Sequence, residues 1–155
     1  MNAEKEHFLK KSFVSLLQQI PSDKPPVWGK MSLQQMIEHF TDAVRTASGK
    51  LIPKKVFTKE EDLPKMQAFL KSDKPFRENT PNPLMPEVPA PVRNQSIATA
   101  MSELQEEIDY FFDVFGANKQ LYTTNPFFGN LDYEMNLQLL YKHAVHHLKQ
   151  FGMEV

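Results

Sequence analysis

Apolar residues recur with the period of a helix in four places along this chain. Leu9, Phe13, Leu16, Leu17 and Ile20 follow the i, i+3, i+4, i+7 spacing that gathers side chains on one face, and PSDKPP ends the run. A second run holds Leu33, Met36, Ile37, Phe40, Val44 and Ala47. It starts behind Ser32, a good N-cap, and stops at Gly49. Ile97, Met101, Leu104, Ile108, Phe111, Phe112 and Phe115 form a third stripe, closed by Gly116. The fourth begins near Asp132, carries Leu137, Leu140, Tyr141, Ala144 and Leu148, and ends at Gly152. No stretch alternates as a strand would, and there is no internal repeat.

Each helix should run roughly 17 to 22 residues, or about 25–33 Å at the usual rise. Four amphipathic helices of matched length predict an all-α fold, a four-helix bundle. The join between the second and third helices, residues 50–93, is too long for a turn, so the bundle needs one long crossover there. A short helix is expected near residues 60–70. Beyond it, KPFRENTPNPLMPEVPAPVR reads as extended chain lying over the bundle, since six of the twelve prolines fall between Pro75 and Pro91. Phe76, Leu84, Met85 and Val88 would anchor it; a disordered linker is the alternative.

Composition narrows the function classes. A chain of 155 residues is the size of one domain, here spanning 1–155. The formal net charge is −1 and lysines are scattered, which leaves no basic stripe for nucleic acid or a membrane surface. With no cysteine, disulfides, thiolate metal sites and a cysteine nucleophile are all excluded. No apolar run approaches the roughly 20 residues of a membrane span, and MNAEKEHFLKK lacks a signal-peptide core. A cytoplasmic protein is expected.

Three of the five histidines crowd into YKHAVHHLKQFG. Stepping about 100° per residue around the fourth helix separates them. His146 projects away from the apolar stripe, toward solvent. His143 and His147 lie one turn apart on one flank, the spacing by which a helix offers two imidazoles to one metal ion. A metal needs more ligands than two. On the second helix, His39 sits at the same offset from its own stripe as His143, so the three converge if the two helices are neighbours. His7 projects to the opposite side and is read as solvated. The competing view is that such border histidines are surface residues, or are satisfied by backbone carbonyls.

At these residues the chain resembles the DinB-like superfamily of metal-binding four-helix bundles, and within it a branch of uncharacterised proteins. WGKMSLQQMIEHFTDAVRTASG and NPFFGNLDYEMNLQLLYKHAVHHLKQFG carry the resemblance, together about a third of the chain. That family places one histidine on its second helix and an HxxxH pair on its last, and together they bind a divalent metal. The resemblance therefore implies a centre of His39, His143 and His147. Two departures touch packing and the outer shell: the family branch often has tryptophan near Met135 and an acidic residue near Val145.

Three neutral imidazoles leave a divalent ion with open positions, the catalytic rather than the closed structural pattern. Zn²⁺ or Ni²⁺ suits them best, with Fe²⁺ or Mn²⁺ also accommodated. Some relatives in the superfamily are metal-dependent thiol transferases or thiol-dependent isomerases. The resemblance thus implies thiol-dependent group transfer or hydrolysis on a small-molecule substrate, with a low-molecular-weight thiol as cosubstrate. A homodimer, common in the superfamily, is the expected state. The alternatives are a non-catalytic bundle that binds a metal or small ligand, and a metal-free interaction module. Asn136 and Gln150 share the flank of His143 and could orient a ligand or a bound water, though both are commonly plain surface amides. Trp28 and NPFFGN could line an apolar pocket beside the metal, or simply belong to the core. Ala144 stands where an HExxH metalloprotease carries its glutamate base, and serine-hydrolase and phosphate-loop motifs are absent.

Overall fold

Side-chain caps set where the helices begin. Ser32 Oγ accepts from Gln35 N at 3.2 Å, and Gln35 Oε1 accepts from Ser32 N at 2.8 Å, a reciprocal capping box. Ser96 and Asp132 do the same work singly, accepting from Thr99 N and Met135 N. The computed structural model describes residues 2–78 and 88–155. In it the chain is mostly helical. α1 runs over 2–18, α2 is Leu33–Ser48, α3 is Leu63–Lys71, α4 is Ile97–Ala117 and α5 is Tyr133–Gln150. Gly49 ends α2 at φ 84°, a left-handed conformation that L side chains seldom adopt.

The long helices pack as a ring in the order α1, α4, α2, α5, each against the next and α5 back against α1. Their inner faces build one core from Phe13, Met36, Ile37, Phe40, Leu104, Phe111, Phe115, Leu140 and Leu148. These are the stripes that the helical period picks out. α1 carries a π-helical turn, Phe8–Ser12, between Asn2–His7 and Phe13–Gln18. Four-residue steps drift forward around an ordinary α-helix, and one wider turn offsets that drift. Leu9, Phe13 and Leu17 consequently all reach the core.

The crossover contains the expected short helix, α3, preceded by a 3₁₀ turn at Glu60–Asp62. Leu70 of α3 joins Phe128, Leu131 and Leu139 in a second, smaller core on the outer side of α5, with Phe69 and Phe76 packed against it. So α5 is covered on two sides. The anchors divide. Phe76 packs as expected, Val88 is exposed, and Leu84 and Met85 lie outside the described residues.

The returning end of the crossover is held to α2 by polar bonds rather than apolar ones. Glu38 accepts from Arg93 N at 2.8 Å, Asn94 N at 3.0 Å and Asn94 Nδ2 at 3.1 Å, while Gln35 Nε2 donates to Ala90 O at 2.9 Å. Burial raises the Glu38 carboxyl, but these bonds outweigh it and hold the pKa below the ordinary value.

Contrary to the expectation of no strand, a small antiparallel hairpin joins α4 to α5. β1, Thr123–Asn125, pairs with β2, Gly129–Leu131. The turn within NPFFGN is closed by Asn125 Oδ1, which accepts from Phe127 N at 2.8 Å and Phe128 N at 3.1 Å. Three-residue strands are too short to show alternation. Among the described residues, no helix is long and apolar enough to cross a membrane.

Candidate metal centre

The ring packing places α2 beside α5, and this brings His39 to the HxxxH flank. One ring nitrogen from each of His39, His143 and His147 lies within 4.8 Å of the other two. His143 Nε2 and His147 Nε2 are 2.7 Å apart, and the His39 ring stands edge-on to both at 5.3 Å. Phe40, the core residue next to His39, packs at 5.0 Å from the His143 ring and forms the floor.

Burial lowers the pKa of all three histidines. His143 falls well below its ordinary value through desolvation, and nearby His147, His39 and His146 add to the effect. His147 falls comparably for the same first reason, with His39 as the next cause. For His39, desolvation is opposed in part by Asp42 one turn along α2. At neutral pH the cluster is therefore three uncharged imidazoles, the protonation state in which histidine ligates metals.

Hydrogen bonds assign the proton on His147. Gln150 Nε2 donates to the Trp28 carbonyl at 3.1 Å, which turns Gln150 Oε1 toward His147 Nδ1, 2.7 Å away. An amide oxygen only accepts, so Nδ1 carries the hydrogen and Nε2 keeps a bare lone pair. The short contact between the two Nε2 atoms is then bridged by the hydrogen of His143.

The other expectations fare unevenly. Gln150 does orient a histidine of the cluster. Asn136 does not: it is buried, and its Nδ2 donates to Thr123 Oγ1 at 2.9 Å and to the carbonyls of Leu131 and Asp132 at 3.1 Å each, tying the hairpin to α5. Phe128 belongs to the second core, whereas Trp28 stands 5.3 Å from the His146 ring. His7 is exposed, as read. His146 is not fully solvated, contrary to expectation. Its ring is half-buried between Trp28 and Phe76, at 5.3 and 6.1 Å, although it stands outside the cluster of three.

Lys142, next to His143, escaped notice in the sequence because lysine on a helix ordinarily reaches solvent. Here it is buried, and Nζ donates to Phe69 O at 3.0 Å and Ser72 O at 3.2 Å, at the C-terminal end of α3. Burial pulls its pKa down. The same ammonium lies 4.3 Å from the Phe69 ring and 5.4 Å from Phe76. It thereby anchors the chain that supplies Phe76 to the His143 side. Comparison with protein-family models, with curated proteins and with solved structures finds no match for this chain in any of the three.

Proposed function

We propose that this chain is a divalent-metal-binding protein of the DinB-like four-helix type, with His39, His143 and His147 as ligands. The observation that carries the reading is the meeting of three neutral imidazoles, from two helices over a hundred positions apart in sequence, around one point. The donor set fits such an ion. Zinc–nitrogen bonds of 2.0–2.1 Å in tetrahedral geometry separate two ligand nitrogens by about 3.3 Å. The His143–His147 pair is closer than that at 2.7 Å, and the whole set stays within 4.8 Å, so the separations bracket the one such an ion requires. One proton can bridge two facing nitrogens, whereas a cation receives the lone pairs of all three.

Zn²⁺ or Ni²⁺ is the ion that imidazole donors favour, and Fe²⁺ or Mn²⁺ can be held as well. When bound, the ion would supply Lewis acidity and would lower the pKa of a coordinated water or thiol. The chain's own residues bind and orient: the histidines donate, Gln150 fixes His147, and Phe40 and Phe76 pack against the His143 ring. Thiol-dependent group transfer or hydrolysis on a small molecule, by a cytoplasmic homodimer, is the chemistry this reading favours. The alternative is a non-catalytic metal- or ligand-binding bundle. It draws support from the tight aromatic packing on His143, since Phe40 and Phe76 both abut that ring.

The test is a metal analysis of untagged protein by plasma mass spectrometry, followed by a panel of thiols with electrophiles. About one metal per chain after reconstitution is expected; below about 0.1 per chain the reading fails. Turnover abolished by His143→Ala supports the enzyme, and metal binding without turnover favours the binder.

A further inference from the structure

Gln150 does more than touch His147. Three contacts build the turn at residues 24–29 around it. Its backbone carbonyl accepts from Val27 N at 2.6 Å, and its side-chain nitrogen donates to Trp28 O at 3.1 Å. At Gly29 the chain takes φ 79°, a left-handed conformation that favours glycine, and a Cβ there would sit 3.1 Å from Gln150 Nε2, a tight contact. The Gln150 residue is 4% exposed. Both heavy atoms of its amide are thus engaged, the oxygen by His147 and the nitrogen by the turn. The Trp28 ring, from the same turn, lies against His146.

We propose that Gln150 is the positioning residue of the histidine centre: it locks His147 in the Nδ1–H tautomer and couples the centre to the turn that carries Trp28. This rests on the metal reading for its consequence, though not for the tautomer. A histidine whose Nδ1 hydrogen is already held offers Nε2 without a tautomer change, and outer-shell partners of this kind commonly change metal affinity about 10–100-fold. The amide is the group that can do both jobs. A carboxylate would accept from His147 but could not donate to Trp28 O; an aliphatic residue could do neither.

The test has two arms. In metal-free protein at pH 7.5, a long-range proton–nitrogen correlation of ¹⁵N-labelled histidine reads the tautomer of His147. Hydrogen on Nδ1 is expected, and hydrogen on Nε2 overturns the proposal whatever metal binds. In the second arm, zinc affinity is measured by competition with a chromophoric chelator, and the emission of Trp28, the sole tryptophan, reports the turn. Gln150→Leu should bind zinc about 10–100-fold more weakly. Gln150→Glu should bind at least as tightly as wild type, while its Trp28 emission shifts to the red and becomes easier to quench with acrylamide. Wild-type affinity in a folded Gln150→Leu overturns the proposal. If that variant does not fold, a tenfold loss in Gln150→Glu overturns it instead. Failure of wild type to bind zinc overturns the metal reading alone, and the tautomer still decides the role of Gln150.

Discussion

His143 and His147 are held neutral by burial, and this makes the metal-free protein sensitive to mild acid. Their folded pKa values lie well below the unfolded value of 6.5. Between those values the unfolded chain binds more protons than the folded one, so lowering pH favours unfolding, by up to about 1.4 kcal/mol per pH unit for each group. Denaturant unfolding at pH 7.5 and 5.5 should show the loss, and the double variant His143→Gln, His147→Gln should show a flatter profile. An equal slope in that variant would place the acid sensitivity elsewhere. Glu38 acts in another window: its depressed pKa gives stability that is present above about 4.5 and lost as pH falls further. Glu38→Ala leaves four backbone or amide donors without their charged acceptor and should cost about 2 kcal/mol at pH 7, read as a lower urea midpoint. The helical period alone places His39, His143 and His147 on matching flanks, and the packing of α2 beside α5 brings those flanks together. It misplaces His146, because an angle measured from one apolar stripe ignores a second covering layer. That layer comes from Trp28 and Phe76, which are remote in sequence.

α3 is a helix of nine residues with one fully buried side chain, Leu70, too little to stand without tertiary help. Lys142 supplies that help by donating to carbonyls at the C-terminal end of α3, where a cation is also favoured by the helix dipole. Lys142→Met should therefore loosen α3 selectively. Hydrogen exchange followed by mass spectrometry should show faster exchange in Leu63–Lys71 with α2 and α4 unchanged; uniform acceleration would mean that the lysine serves the whole core. Element boundaries were readable where a single side chain sets them, as at Ser32, Gly49 and Asp132. The hairpin was not, since β2 gains its burial from Leu70 and Leu139, and β1 from α2, where Thr123 Oγ1 donates to Ala47 O, rather than from any pattern of their own. NPFFGN draws notice only for its aromatic side chains; its Asn, Pro and Gly are turn residues, but they mark a turn without saying what flanks it. The π turn in α1 was likewise hidden, because one extra residue in a turn leaves the spacing of Leu9, Phe13 and Leu17 within the tolerance of an ordinary helix.

For the molecule as a whole, the proposed ion would join α2 to α5 across the ring of helices. A ligand that binds only the folded chain stabilises it by about 2.7 kcal/mol when present at a hundred times its dissociation constant. For a domain of this size each kcal/mol raises Tm by roughly 2–4 °C, so zinc should raise the melting temperature of chelator-stripped protein by about 5–10 °C. The source of the gain can be separated. An HxxxH pair lies on one helix, and an ion held by it alone constrains little beyond α5. The third ligand, His39, turns the same ion into a cross-link between helices that meet only after the chain has folded. His39→Ala should therefore retain weak zinc binding through His143 and His147 yet lose most of the thermal shift, whereas His7→Ala, an exposed histidine outside the cluster, should keep it. A full shift in His39→Ala would show that the stabilising ion does not bridge α2 and α5, and the three-histidine centre would reduce to a two-histidine site on one helix.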